Sequence, residues 1–351
     1  MINEKKWPAL DFVKFACVAV MILAHAHTML IAFFYKIIDV NGFFYKVTDK
    51  FMFVGLFIMI LPMLAGVVFR VNGDFGVKKT FKLAVFLAVI GFLMNAATWG
   101  WPYLFSWNVL QFIGLSFLII AFLKKYFSNS NIAIVFFSLL AIFAAAPLRL
   151  FLSTMKYNYL FDILLGANNG QTFWPLLPWF GLVGLGFVFA DYYIKIKDAR
   201  NKMKFNIAAA LAGAVLVVIA ILRNEISPRL DPMYFWGGGS VFQPKIGWIL
   251  AIIGLFCVLV AGANVFLNRK VFKKYGIVNS YSKGILWIYI TQMFVNYHLA
   301  MLIKFFFPMN VPSLAYFILP IFIVFFSWFI GALSIKLFAE KRVIITLKEV
   351  Q

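Results

Sequence analysis

Apolar residues come in long unbroken runs here, without the alternation of a half-buried strand or the three-and-four spacing of a surface helix. A helix needs about 20 mostly apolar residues to cross the hydrocarbon layer. Segments at approximately 9–34, 51–70, 79–98, 107–123, 131–151, 174–194, 205–222, 245–267, 284–304 and 313–337 fit that length, the span at 107–123 being short. The pattern predicts an all-α integral membrane protein, a bundle of about ten transmembrane helices. No long linker, low-complexity tract or strong repeat interrupts it, so residues 1–351 read as a single transmembrane domain.

The polar segments between the runs carry an orientation signal. Of the 32 Lys and Arg residues, 22 fall on one side: the two termini and the loops near 70–82, 124–130, 195–204 and 268–283. They include Lys78, Lys79, Lys195, Lys197, Arg200, Lys202, Lys204, Arg269, Lys270, Lys273 and Lys274. Nine fall on the other side, and Lys14 lies within the first run. Basic residues accumulate in cytoplasmic loops, so both termini are expected in the cytoplasm, in what would be a bacterial inner membrane.

Composition agrees with the runs. The chain is 64% hydrophobic and 13% charged, against about 25% charged residues in soluble domains. That excludes a soluble hydrolase; the chain needs membrane lipid as its solvent. A net charge of +20 would suggest nucleic acid in a soluble protein, but here it reports sidedness, and no nucleic-acid partner is expected. Cys17 and Cys257 both sit in apolar runs and read as packing residues. Lys5 and Lys6 precede a run too long for a signal peptide, with no small-residue cleavage site after it.

The loops opposite the basic side, 35–50, 152–173 and 223–244, are long enough to shape a binding surface. They contain Asp39, Asp49, Asp162, Glu225, Asp231, Asn168, Asn169 and Gln171, with Trp174, Trp236 and Gly237–Gly239 at or near their edges. Carboxylates and amides among aromatics suit a sugar-like ligand, and an interfacial aromatic belt would look the same.

The first run holds polar residues that a lipid-facing helix would not. An ionisable side chain at membrane depth costs about 2.5–3.5 kcal/mol on insertion scales and persists where it meets a cavity or partner. At 100° per residue, Lys14 and His25 differ by about 20° in azimuth and are separated by about 16 Å along the axis. Asp11 lies about 60° from Lys14, whereas His27 points about 200° away from His25. Asp11, Lys14 and His25 thus form one stripe. An imidazole can move protons near neutral pH; the same residue also serves as a packing histidine, and Asp11 with Lys14 as an interfacial ion pair. With His298 as the remaining histidine, no metal site is recognisable.

Leu10-Asp11-Phe-Val-Lys14 through Met21-Ile-Leu-Ala-His25 resembles the opening of the heparan-alpha-glucosaminide N-acetyltransferase catalytic-domain family, where Leu-Asp-x-x-Arg is followed about ten residues later by His. Related bacterial membrane O-acyltransferases share the basic residue, gap and His. Three further segments resemble the family in order: Trp107-Asn-Val-Leu-Gln111-Phe-Ile-Gly114, Trp174-Pro-Leu-Leu-Pro178-Trp179-Phe-Gly181, and Ser280-Tyr-Ser282-Lys283 through Tyr289-Ile-Thr-Gln292. The likeness spans roughly 8–300. Lys14 replaces the family's usual Arg, and Thr291 stands where many relatives have His.

The resemblance implies transfer of an acetyl group from cytosolic acetyl-CoA, as co-substrate, to a sugar or glycan on the far side. It makes His25, Lys14 and Asp11 the catalytic candidates: His25 as general base or acyl carrier, and Lys14 set along the route of the pantetheine arm or orienting polar partners with Asp11. Arg70, Lys78, Lys79, Lys82, Lys124 and Lys283 would form a basic mouth for the CoA phosphates, and the positive-inside rule alone would also place them. Gln111, Gln292 and Asn108 would hydrogen-bond the thioester, the acceptor or His25, or only neighbouring helices. Asn108, Asp162, Trp174, Trp179 and Gln292 are the substrate-binding candidates, and Pro178-Trp179 is expected to break or kink its helix. The rival is a secondary transporter or flippase, which would show inverted repeats; a channel would show charged rings or a carbonyl filter. Neither pattern is found. Oligomeric state, including a homo-oligomer, is not encoded legibly.

Overall fold

A computed structural model describes residues 7–34, 59–73, 76–152, 159–166, 172, 174–223, 244–266, 278, 282, 284–306, 321–326, 328–330 and 332–333, with the side chains of 27–34 excepted. Among these residues the fold is helical with no strand. The helices are α1 (Pro8–Phe34), α2 (Leu61–Asn72), α3 (Val77–Trp99), α4 (Val109–Tyr126), α5 (Ser130–Leu152), α6 (Tyr159–Leu165), α7 (Leu176–Lys195), α8 (Ala199–Leu222), α9 (Ile246–Phe266) and α10 (Ile285–Phe306). Eight of them, all but α2 and α6, are long and apolar enough to cross a membrane. The chain is an all-α integral membrane protein. At the expected spans 51–70 and 313–337 the described residues form shorter apolar helices, Leu61–Asn72 and Ile321–Ile330. The loops 35–50 and 223–244 lie outside the described residues, apart from Arg223 and the flank at 244.

The chain folds as two compact units. The first, residues 59–265, is built around α7, two thirds of which is buried (67%). Helix α7 packs against α2 on one side and α5 on another, and α3 pairs with α4. Small residues make these contacts possible. A Cβ on Gly66 would collide with the Val183 carbonyl, and one on Gly186 with the Met63 carbonyl, so α2 and α7 meet backbone to backbone. Lipid gives no hydrophobic drive for helices to associate, so such close packing, with interhelical hydrogen bonds, holds the bundle. Phe69, Phe117 and Phe187 fill the junction of α2, α4 and α7, with Phe69 and Phe117 stacked at 4.3 Å.

Helix α7 is broken where the sequence predicts. Leu177 takes extended angles (φ −101°, ψ 128°) because the ring of Pro178 disfavours the helical region for the residue before it. Helix α8 is the most peripheral: Asn206, Gly213 and Ala220 are buried, one every seven residues, and Ile207, Leu211, Val215, Val218 and Leu222 are exposed. A heptad stripe of small and polar residues meets α9 at Gly213–Gly254 and through Asn264 Nδ2, which donates to Asn206 Oδ1 at 3.1 Å. The apolar remainder is the surface a lipid-solvated helix needs.

The second unit comprises residues 7–58 and 266–351. Its described core is the pair α1 and α10, which pack along each other. Cys17 is buried in α1 and Cys257 half-buried in α9, and both are free thiols, as their apolar settings suggest.

Candidate active site

The polar stripe of α1 faces partners on or beside α10. Near the start of α1, Lys14 Nζ lies 2.9 Å from Asp11 Oδ1, and the Ser282 hydroxyl donates to the same carboxylate oxygen. The ion pair spans i to i+3, the spacing that puts two side chains on one helix face. Lys14 is buried, so its charge is tolerated because Asp11 sits against it. Ser282 closes the group, and it belongs to the last of the four sequence segments quoted above.

About three turns farther along α1, His25 is half-buried, and its Nδ1 faces the side-chain amide of Gln292, 3.0 Å from Nε2 and 3.2 Å from Oε1. Gln292 is fully buried, and its Oε1 accepts from Asn296 Nδ2 at 2.9 Å. Tyr289 sets its ring edgewise to the imidazole, centroids 6.5 Å apart. Tyr289, Gln292 and Asn296 recur at intervals of three and four, so they share one face of α10. Among the described residues His25 Nε2 makes no hydrogen bond. Both arms of the Gln292 amide reach Nδ1, so this contact is compatible with a proton on either ring nitrogen of His25. The side chain of His27 is outside the described residues; His298 Nδ1 bonds the Phe294 carbonyl one turn back, a helix-packing role.

In the first unit the expected residues divide between two ends. At the lysine-rich end, Arg70 Nε donates to Asp191 Oδ1 at 2.5 Å, while Lys195 Nζ and Asn131 Nδ2 reach Oδ2 at 2.6 and 2.7 Å. Lys124 lies over the Phe187 ring at 5.4 Å, and Lys78, Lys79 and Lys82 are exposed on the first turns of α3. Lys283 lies outside the described residues. Asp191 was not foreseen, although a signal existed: besides Asp11 it is the one carboxylate in the ten predicted spans, and an acid at membrane depth needs a partner.

At the other end Asn108 and Gln111 form the capping box of α4. Asn108 Oδ1 accepts from the Val109 amide at 2.7 Å, and Gln111 Oε1 accepts from the Asn108 amide at 3.2 Å. Asn108 Nδ2 donates to Asn95 Oδ1 at 3.1 Å, and both Asn95 Nδ2 and Gln111 Nε2 donate to the Ser106 carbonyl. Asp162 is fully buried on α6 and accepts from Thr172 Oγ1 at 2.7 Å. Trp174 and Trp179 pack at 4.9 Å with their rings in the interior, and the Trp174 carbonyl accepts from Trp107 Nε1. These side chains therefore hold the end of the bundle together in this conformation. Asn296 was also missed by the sequence reading; it stands four residues beyond Gln292, inside the same apolar run.

Among the described residues no group of three or more His, Cys, Asp or Glu could hold a metal ion. The family model described as heparan-alpha-glucosaminide N-acetyltransferase, catalytic, matches residues 6–222. That range takes in Asp11, Lys14, His25 and the Asp191 cluster, and ends before Gln292. No curated protein and no solved structure matches the chain significantly.

Proposed function

The chain belongs to the heparan-alpha-glucosaminide N-acetyltransferase catalytic family, and on that premise we propose that it carries acetyl groups from cytosolic acetyl-CoA to an amino sugar or glycan across a bacterial inner membrane. The observation that carries the reading is His25: an ionisable group deep in an apolar helix, held at Nδ1 by Gln292, whose Nε2 makes no hydrogen bond among the described residues. In this reading the acceptor's nitrogen attacks the thioester carbonyl and His25 Nε2 takes the proton that the nitrogen sheds. The carbon–sulfur bond then breaks, and His25 returns that proton to the leaving CoA thiolate. Atoms and charge balance without an acyl-histidine.

The asymmetry of the basic residues supports the direction of transfer. Lys78, Lys79 and Lys82 are exposed and uncommitted to the Asp191 cluster, which makes them the better ligands for CoA phosphates. Arg70, already held by Asp191, would add a fixed positive edge. Lys14, paired with Asp11 near the start of α1, would orient the pantetheine arm.

The test is a calorimetric titration of acetyl-CoA into detergent-purified wild type and His25→Ala, followed by assay of CoA release with amino sugars. Binding by both proteins, with acceptor-dependent CoA release lost only from the variant, is the expected result. Folded wild type that fails to bind acetyl-CoA would overturn the reading in favour of a transporter or flippase.

A further inference from the structure

Tyr289 has no role in the scheme above, yet it stands beside the central residue of that scheme. On α10 it precedes Gln292 by three residues, which puts both on the face that meets His25. Its ring lies edgewise to the imidazole with centroids 6.5 Å apart, close enough for one acyl group to touch both side chains. Tyr289 is half-buried, and its hydroxyl makes no hydrogen bond among the described residues. A tyrosine hydroxyl inside a bundle ordinarily finds a partner, and phenylalanine would make the same ring contact without needing one.

The contacts run in one order along the two helices, Asp11 with Ser282 and then His25 with Gln292, so α1 and α10 are parallel. Along the axis Tyr289 therefore lies about 4.5 Å nearer than Gln292 to the Lys14–Asp11 pair. In the reading above the pantetheine arm passes that pair, so the thioester meets Tyr289 as it reaches His25. Attack on the thioester turns its carbonyl oxygen into an oxyanion, which is stabilised by a donor already in place. In that step His25 Nε2 handles the acceptor's proton. Lys14 is committed to Asp11, and the Gln292 amide to His25 and Asn296. The Tyr289 hydroxyl is uncommitted among the described residues, carries no charge to desolvate and has one proton to donate.

We propose that Tyr289 is a catalytic residue whose hydroxyl donates to the thioester carbonyl oxygen and holds the oxyanion while His25 carries the proton. The proposal rests on the acetyltransferase reading. Tyr289 keeps its own proton throughout. The carbonyl electron pair moves onto oxygen as the carbon–nitrogen bond forms. It returns as the carbon–sulfur bond breaks and the thiolate takes the proton from His25.

Tyr289→Phe keeps the ring and removes only the donor. In full-length protein in nanodiscs, acceptor-dependent kcat should fall by about 10²–10³-fold, the usual loss for one oxyanion donor. The KM for acetyl-CoA should stay within about twofold of wild type, and the melting temperature should not change. A structural role would not reproduce the second readout, the infrared carbonyl band of acetyl-CoA labelled with carbon-13 at the thioester carbonyl. On binding to wild type without acceptor this band should move to lower frequency, and in Tyr289→Phe that shift should be lost. Incorporation of 3-fluorotyrosine at position 289, which retains the hydroxyl, should restore both the shift and most of the rate. A variant that turns over within about twofold of wild type, or that leaves the bound carbonyl band where wild type puts it, would overturn the proposal. With wild type transferring acetyl normally, that result removes Tyr289 and leaves the acetyltransferase reading standing. Folded wild type that binds no acetyl-CoA overturns both.

Discussion

Among the described residues, the buried polar network around Asp191 in the first unit and the one around His25 in the second are finished to different degrees. Around Asp191 every group is matched: both carboxylate oxygens receive donors, from Arg70, Lys195 and Asn131, which tie α2, α5 and α7 together. Around His25 the chain of partners runs through Gln292 to Asn296, and among the described residues it leaves His25 Nε2 and Asn296 Oδ1 without a hydrogen bond. A saturated network rigidifies a core, whereas an unsaturated one costs stability and is retained where the open groups meet something else. The first is therefore read as architecture and the second as chemistry. That contrast can be broken by substitutions whose effects should fall on different observables.

The largest effect is expected on turnover. His25→Gln keeps the side chain polar and close in volume but removes the base, which should lower kcat by about 10²–10⁴-fold and leave the thermal midpoint unchanged. Steady-state assay beside a melting curve in the same detergent checks both halves. A loss of stability matching the loss of rate would place His25 with the architectural residues.

Next in size is Asp191→Ala, read on stability. Removing one partner of a buried ion pair costs about 3–5 kcal/mol, because the other charge remains without compensation. Lys195 is largely exposed and can turn to water, so the lower end of that range is expected, mainly from Arg70. Replacing both Arg70 and Asp191 by Met should recover most of the loss, since an apolar pair of similar volume is nearly neutral at such sites. Denaturation by heat or by a harsher detergent measures both variants. If acetyl transfer collapses in the double variant while stability returns, Arg70 belongs to the CoA site as well as to the cluster.

A third substitution tests the packing beneath that cluster. Gly66→Leu would drive a side chain into the Val183 carbonyl and the Phe187 backbone, neither of which can move without separating α2 from α7. Overpacking of this kind costs about 1–3 kcal/mol and occasionally more. Reduced yield of monodisperse protein should accompany a lower melting temperature.

Spans were legible because lipid imposes length and hydropathy on each helix separately, with no need for tertiary information. The stripe Asp11–Lys14–His25 was legible for a related reason: helical geometry fixes azimuth, and polar residues in an apolar run are conspicuous. The partners were harder to read. Gln292 lies 267 positions from His25, and the bond between them depends on how α1 and α10 pack, which no local periodicity encodes. Asn296 and Asp191 carried a readable signal, their polarity, but not the identity of what they touch. For Asn108 and Gln111 the Asn-x-x-Gln spacing marks a helix start as readily as a ligand site, and the structure places both in the cap.

That last assignment gives the smallest and most discriminating prediction. Gln111→Met replaces an amide by an apolar chain of similar length and removes the reciprocal bond of the capping box. The Ser106 carbonyl keeps Asn95 Nδ2 at 2.6 Å, and Asn108 Oδ1 keeps the Val109 amide, so only the Asn108 amide loses its partner. The cost should be about 1 kcal/mol, the usual value of one cap interaction, with kcat and the KM for acetyl-CoA both within about twofold of wild type. A side chain that touched the thioester would behave differently. Its loss would spare the melting temperature and raise the KM or lower kcat by tenfold or more, a shift of about 1.4 kcal/mol in transition-state binding. The two outcomes separate on the same pair of measurements, and the second would extend the unsaturated, chemical class of polar residue from the α1–α10 pair into the first unit.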